Sequence, residues 1–216
     1  QAMDFSTYLP EWLAYVPEWR DYYLSHNQIN HYQYLKDVLK AMQFIQGPKK
    51  WILKSPQHLE QITPLLATFP DATFAITYRD PLSVVLSTAT MLSYGDRIRR
   101  YKVEPMHNFN YWHDRIKKLL MSFTENYELI PMNQKSDVYF HDLIKDNLNS
   151  VKGIYSKNSF EIDKIANNEI KEYINANKRG KHGQVIYNLE DFNVDKSEFY
   201  KSFKFYFDKF DILKEF

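Results

Sequence analysis

Cysteine is absent from the 216 residues of the chain. That excludes a disulfide scaffold, a thiolate zinc or iron–sulfur site and a cysteine nucleophile, and it fits a reducing compartment. Glycine is nearly as scarce. The five glycines are Gly47, Gly95, Gly153, Gly180 and Gly183. No two of them form GxGxxG or GxxxxGK[ST], so a glycine-rich phosphate cradle is missing from the chain as it stands. Neither sign of charge dominates, with 28 Lys and Arg against 27 Asp and Glu. A net charge of +1 excludes a broadly electropositive nucleic-acid binder and leaves room for a local basic site. No apolar run approaches the roughly 20 residues of a membrane span. The opening Gln-Ala-Met-Asp-Phe does not read as a signal peptide, and no Asn-x-Ser/Thr sequon occurs. A cytoplasmic protein is therefore expected. The seven histidines show neither HxxxH nor HExxH spacing, so no metal is expected.

Aromatic residues are abundant, at 17% within a 44% apolar total. That composition predicts a folded domain with a substantial core and argues against disorder. No repeat or low-complexity linker interrupts it, so residues 1–216 are expected to form a single domain.

The apolar period changes along the chain. Pro10 and Pro17 punctuate short helices at the start. Ile29, Tyr32, Leu35, Val38, Leu39, Met42 and Ile45 then recur at three and four, with Asn27 as N-cap and Gly47-Pro48 as terminator. Lys50-Trp-Ile-Leu-Lys54 has no helical spacing and predicts a short buried strand. Ser55-Pro56 opens a helix that Pro64 is expected to kink. Thr73–Tyr78 is rich in β-branched and aromatic residues and predicts a second strand, after which Asp80-Pro81 opens another helix. Strand, helix, strand, helix with short connections predicts a helix-rich α/β fold, a parallel sheet flanked by helices. The pattern loosens at Gly95, where Arg97, Arg99, Arg100 and Lys102 form a basic stretch. A helix from about Pro105, a third strand at Asp137–Phe140 and a run of helices follow. Asp195 and Glu198 form a capping-box pair, and Phe199, Phe203, Tyr206, Phe207 and Phe210 make a closing aromatic stripe.

Ligands of open parallel sheets bind beyond the carboxyl ends of the strands. Lys54 ends the first predicted strand and Arg79 the second, and a helix N-terminus follows each. If the strands are neighbours, two cations converge on one crevice beside Ser83 and Ser87, a site suited to phosphate or sulfate. The alternative is two good helix starts with Lys54 and Arg79 as rim charges.

Trp51-Ile-Leu-Lys-Ser-Pro-Gln-His58, Phe69-Pro-Asp-Ala72 and Tyr78-Arg-Asp-Pro-Leu-Ser-Val-Val-Leu-Ser87 together resemble the sulfotransferase family, in its bacterial and tyrosylprotein-type branches. The resemblance implies a P-loop NTPase-like sulfotransferase fold. It implies transfer of a sulfuryl group from 3′-phosphoadenosine 5′-phosphosulfate (PAPS) to a hydroxyl or amine, with adenosine 3′,5′-bisphosphate (PAP) as product. Arg79 and Ser87 match the family's pair of 3′-phosphate ligands at the same interval. Lys54 matches the lysine at the 5′-phosphosulfate, where positive charge offsets that developing on the leaving group. His58 is then the candidate base, with a helix-capping or structural histidine as the alternative. Val138-Tyr-Phe-His-Asp-Leu143 resembles the family's Tyr-Glu-Asp-Leu strand end, with Phe140 at the adenine-stacking position. Lys178-Arg-Gly-Lys-His-Gly183 resembles its Arg-Lys-Gly-x-x-Gly loop, which implies that Lys178, Arg179 and Gly180 wrap the 3′-phosphate. The Lys/Arg-Ser-Gly-Thr-Thr loop that the family carries near its N-terminus has no counterpart, so an N-terminally incomplete domain is expected.

Two other functions compete with an active transferase. One is a nucleotide-binding or interaction module without activity, because the phosphosulfate loop is missing. The other is a non-enzymatic RNA or protein binder using the 97–102 stretch, although nucleic acid is not an expected partner at this net charge. A small-molecule, sugar, lipid or peptide acceptor is expected, together with a homodimer if an aromatic face is exposed.

Overall fold

The computed structural model describes residues 7–181, 183, 185–187 and 189–216. Its helices are α1 (Leu9–Leu13), α2 (Pro17–Ser25), α3 (Ile29–Gln46), α4 (Ile62–Thr68), α5 (Pro81–Arg99), α6 (Pro105–Asn126), α7 (Phe140–Lys145), α8 (Asn147–Lys157), α9 (Lys164–Ala176), α10 (Lys196–Ser202) and α11 (Lys204–Lys209). The strands among the described residues are β1 (Phe74–Tyr78) and β2 (Lys135–Tyr139). The chain groups into two compact units. One comprises Gln1–Ala72 and Leu119–Ile130, the other Thr73–Lys118 and Pro131–Phe216.

In the first unit, α3 is the 18-residue helix that the apolar spacing predicts. Asn27 Oδ1 accepts from Ile29 N at 2.9 Å, one of the free N–H groups of its first turn. Gly47, at φ 82°, carries the chain out in a conformation that a side chain would oppose. Helix α3 packs on α4, where Lys36 Nζ donates to the Thr68 carbonyl at 2.8 Å.

Two expectations fail in this unit. Residues 50–54 form no strand, because no described strand lies alongside to accept their hydrogen bonds, and Ile52 is 89% exposed. The helix expected from Pro56 breaks in two, a 3₁₀ turn at Pro56–Glu60 and then α4. Pro64 explains the break. It has no N–H for the carbonyl of Glu60 and its ring would crowd that carbonyl, so the helix starts at Ile62 with Pro64 in its first turn.

In the second unit, β1 and β2 pair in parallel, with Phe74 opposite Lys135 and Tyr78 opposite Tyr139. Parallel pairing is the α/β arrangement that the sequence predicts. Tyr78 is 1% exposed and donates to Asp137 Oδ1 at 2.6 Å. Its ring lies 4.9 Å from Tyr139 and 4.8 Å from Phe210. The closing stripe is core, with Phe199, Phe203, Tyr206 and Phe210 all buried. Its helix is interrupted at Phe203, which separates α10 from α11 and is itself fully buried. Asp195 caps α10 by accepting from Ser197 N and Glu198 N.

Helix α5 continues through Gly95 to Arg99, beyond the expected loosening. Arg97 and Arg99 sit in its last turn, where cations favour the dipole. Asn108 Nδ2 fixes the same end by donating to Ser93 Oγ and Asp96 Oδ2, each at 3.0 Å. Part of the basic stretch is therefore ordinary helix terminus.

Candidate functional site

The register of the parallel pair builds the site. With Tyr78 opposite Tyr139, the next residues, Arg79 and Phe140, emerge side by side at the carboxyl ends of both strands. Arg79 Cζ lies 4.1 Å from the centre of the Phe140 ring, a cation–π contact. Arg179 joins from the turn after α9, with Cζ at 5.7 Å from the same ring. That turn is closed by Lys181 N donating to Lys178 O and Gly183 N donating to Gly180 O. Gly180 takes φ 81°, which a residue with a Cβ resists. Lys178, Arg179 and Gly180 are all exposed, and the His182 of the same motif lies outside the described residues.

The Arg79 fork already grips an anion of the chain itself. Nε donates to Glu215 Oε1 at 2.7 Å and Nη2 to Glu215 Oε2 at 2.8 Å. This is the bidentate geometry for which a guanidinium is suited. Each side chain keeps about a third of its surface in solvent, at 33% and 28%. The hydrogen bond to Glu215 raises the Arg79 pKa. Burial alone would raise the Glu215 carboxyl. The Arg79 hydrogen bond and charge, with a contribution from Arg179, outweigh it and hold the carboxyl below its usual range.

Asp80 anchors these groups. It is 1% exposed. Its Oδ1 caps α5 by accepting from Leu82 N at 2.9 Å. Its Oδ2 accepts from Tyr200 Oη at 2.8 Å and from Glu215 N at 2.7 Å. Burial, and after it the Asp80 hydrogen bond, push the Tyr200 phenol above its ordinary pKa. Ser83 and Ser87 lie one turn apart on α5. Ser83 is buried, and its Oγ has no partner in hydrogen-bonding geometry, although it lies near enough to Glu215 to help lower that carboxyl. A buried hydroxyl at a helix start, beside the carboxylate that the Arg79 fork holds, suits an anionic ligand.

Lys54 and His58 belong to the first unit. Lys54 is exposed, in the segment before the Pro56–Glu60 turn. His58 Nδ1 lies 2.9 Å from Tyr32 Oη on α3. Burial pushes the imidazole down to about 4, so it is neutral at pH 7. Among the described residues, the structure thus brings together Arg79, Phe140 and Arg179, places Ser87 on the helix that follows Arg79, and holds Lys54 and His58 in the other unit. Sequence reasoning missed Glu215, Asp80, Tyr200 and Tyr32 as site residues. No group of three or more His, Asp or Glu among the described residues could hold a metal ion, and no described helix is long and apolar enough to cross a membrane.

Comparison with known proteins agrees with this architecture. Residues 1–163 match the model of the sulfotransferase family, and the chain belongs to that family. Its fold is similar to that of sulfotransferase STF9 from Mycobacterium avium, with a TM-score of 0.87 and 19% identity over 98% of this chain and 55% of that one. It is also similar to sulfotransferase STF1 from Mycobacterium tuberculosis H37Rv, with a TM-score of 0.75 and 22% identity over 92% of this chain and 51% of that one. The chain therefore spans about half the length of these solved structures. No curated protein matches it.

Proposed function

We propose that this chain is the donor-binding portion of a sulfotransferase that moves a sulfuryl group from PAPS to a hydroxyl or amine acceptor. The observation that carries the proposal is the adjacent pair Arg79 and Phe140 at the carboxyl ends of two parallel strands, with Arg179 turned toward the same ring. Arg79, Ser87 and the Lys178–Arg179–Gly180 turn hold the donor's 3′-phosphate, and Phe140 stacks on its adenine. Transfer forms a bond from the acceptor oxygen or nitrogen to sulfur as the bond from sulfur to the bridging oxygen breaks. Lys54 offsets the negative charge growing on the departing PAP. His58, neutral at pH 7, takes the acceptor's proton. The enzyme works in the cytoplasm, and its acceptor is a small molecule, sugar, lipid or peptide.

The test is a thermal shift with adenosine 3′,5′-bisphosphate. Ligand at about 100 times its dissociation constant stabilises a binder by about 2.7 kcal/mol. Arg79→Ala should abolish the shift, and an undiminished shift in that variant would overturn the assignment. A second reading, a nucleotide-binding module without turnover, is favoured by the half-length match to the solved structures. It predicts the same shift but no sulfuryl transfer by this chain alone.

A further inference from the structure

The Arg79 fork is occupied by a carboxylate 136 residues further along the chain, on the segment after α11. Glu215 meets both nitrogens of the fork at 2.7 and 2.8 Å, in the plane where a phosphate would make the same two bonds. A guanidinium cannot offer one edge fully to two anions, so phosphate bound there excludes the carboxylate.

The two sides of this contact are held differently. Arg79 follows directly on a strand with a fixed register, and Phe140 packs against it. Glu215 lies in an irregular segment, outside any helix or strand. Its backbone N–H is tied to Asp80 Oδ2 at 2.7 Å, so the residue can stay in place when its side chain leaves Arg79 by rotation about χ1 to χ3. Ser83 Oγ waits beside the carboxylate with no partner in hydrogen-bonding geometry. A tetrahedral anion brings an oxygen beyond the two that would meet Arg79, and that oxygen can accept from the hydroxyl. Arg179 stands close enough to lower the Glu215 carboxyl, so the second cation faces the same anion.

We infer that Glu215 is an internal competitor for the anion site, a carboxylate stand-in that the donor's phosphate must displace from Arg79. The inference rests on Arg79 being an anion-binding residue, as proposed above. Displacement keeps the charge on Arg79 balanced throughout, and it releases Glu215 to solvent only when ligand has replaced it. The fraction of molecules with an open fork sets the apparent affinity. For a charge-assisted pair about one third exposed, closing the fork weakens binding about three- to thirtyfold.

The experiment titrates the full chain with adenosine 3′,5′-bisphosphate by calorimetry, as wild type, Glu215→Gln, Glu215→Ala and Arg79→Ala. It also follows the Glu215 side-chain carboxyl by carbon NMR against pH. Glu215→Gln preserves the backbone bond to Asp80 and the side-chain volume, so folding is retained. The expected result is about three- to thirtyfold tighter binding in both Glu215 variants and none in Arg79→Ala. Saturating ligand should return the Glu215 titration in wild type to the ordinary carboxylate range, as Arg79→Ala should without ligand. Equal or weaker binding by both Glu215 variants, with binding still lost in Arg79→Ala, would overturn the competitor and leave the donor site standing. Undiminished binding by Arg79→Ala would overturn the donor site. Inorganic phosphate serves as a second probe. If the nucleotide binds to no variant yet phosphate moves the Glu215 titration in wild type, the competitor stands and the nucleotide assignment falls. If neither ligand moves it, the competitor falls.

Discussion

Replacing Asp80 by Ala removes three hydrogen bonds at one buried carboxylate. Oδ1 caps α5 at Leu82 N, and Oδ2 receives Tyr200 Oη and Glu215 N. Loss of a helix cap costs about 1 kcal/mol. Each of the two abandoned donors costs about 1 kcal/mol more, with the part-exposed phenol at the lower end because water reaches it. The expected destabilisation is about 2–4 kcal/mol. Asp80→Asn separates these contributions. Its carbonyl oxygen can retain the cap, but its amide then points N–H groups at two other donors, so about 1–2 kcal/mol is expected. Tyr200→Phe removes one of those donors, and the double variant Asp80→Asn with Tyr200→Phe should cost clearly less than the two single costs together. Urea unfolding followed by far-ultraviolet circular dichroism measures each value. An Asp80→Ala cost below about 0.5 kcal/mol, the range of an ordinary surface substitution, would refute the network. So would full additivity in the double variant.

Phe203 is fully buried between the Phe199 and His113 rings, at 4.8 and 5.4 Å, and Phe203→Ala should cost about 3–5 kcal/mol in the same assay. His58 predicts a pH dependence. Its pKa falls from 6.5 unfolded to about 4 folded, so the unfolded chain binds the proton more readily. The associated stability is complete above the unfolded value and is lost as pH falls toward 4, about 2 kcal/mol of it by pH 5. His58→Gln should flatten that loss between pH 7 and 5, and an unchanged slope would show that another group titrates there. The proposed base also requires a particular tautomer. With Nδ1 facing Tyr32 Oη, Nε2 can accept a proton only when Nδ1 carries one and donates it to the phenol oxygen. Nitrogen NMR of the imidazole should find Nδ1 protonated at pH 7, and a proton on Nε2 would remove His58 from the role of base.

The legible parts of the fold were those set by local chemistry. Asp80-Pro81 announces α5 because an acceptor side chain followed by a residue without an N–H is the chemistry of a helix start, and Asp80 Oδ1 does cap that helix. Thr73–Tyr78 reads as strand because its β-branched and aromatic residues suit a pleated surface. Lys50–Lys54 reads equally well as strand and is not one, because a strand needs a partner that no local pattern can report. Arg79 reads directly as the residue that ends a strand, whereas Phe140 enters through the resemblance of Val138–Leu143 to the family's strand end. Their contact depends on which two strands pair, and no local pattern announces that β1 pairs with β2. Glu215 left no trace in the sequence. It meets Arg79 across 136 residues, and a single acidic residue beside Lys214 carries neither period nor motif.

The site and the core share one constraint. In β1 the buried positions alternate, with Ile76 and Tyr78 inward, and Val138 is buried in β2. A slip of one residue between the strands would turn these side chains to the opposite face. It would also set Arg79 beside Tyr139 or His141 instead of Phe140. The packing of Tyr78 against Tyr139 and Phe210 therefore opposes any shift of the cation, and the aromatic core lends its rigidity to the anion site. The carboxylate has no comparable support, since it lies outside any helix or strand, with its side chain held by Arg79 and its backbone by Asp80. A fixed cation facing a movable anion is the arrangement that exchange requires. Were Glu215 set on the strand and Arg79 on the loose segment, displacement by phosphate would carry the cation away from Phe140 and dismantle the site it entered.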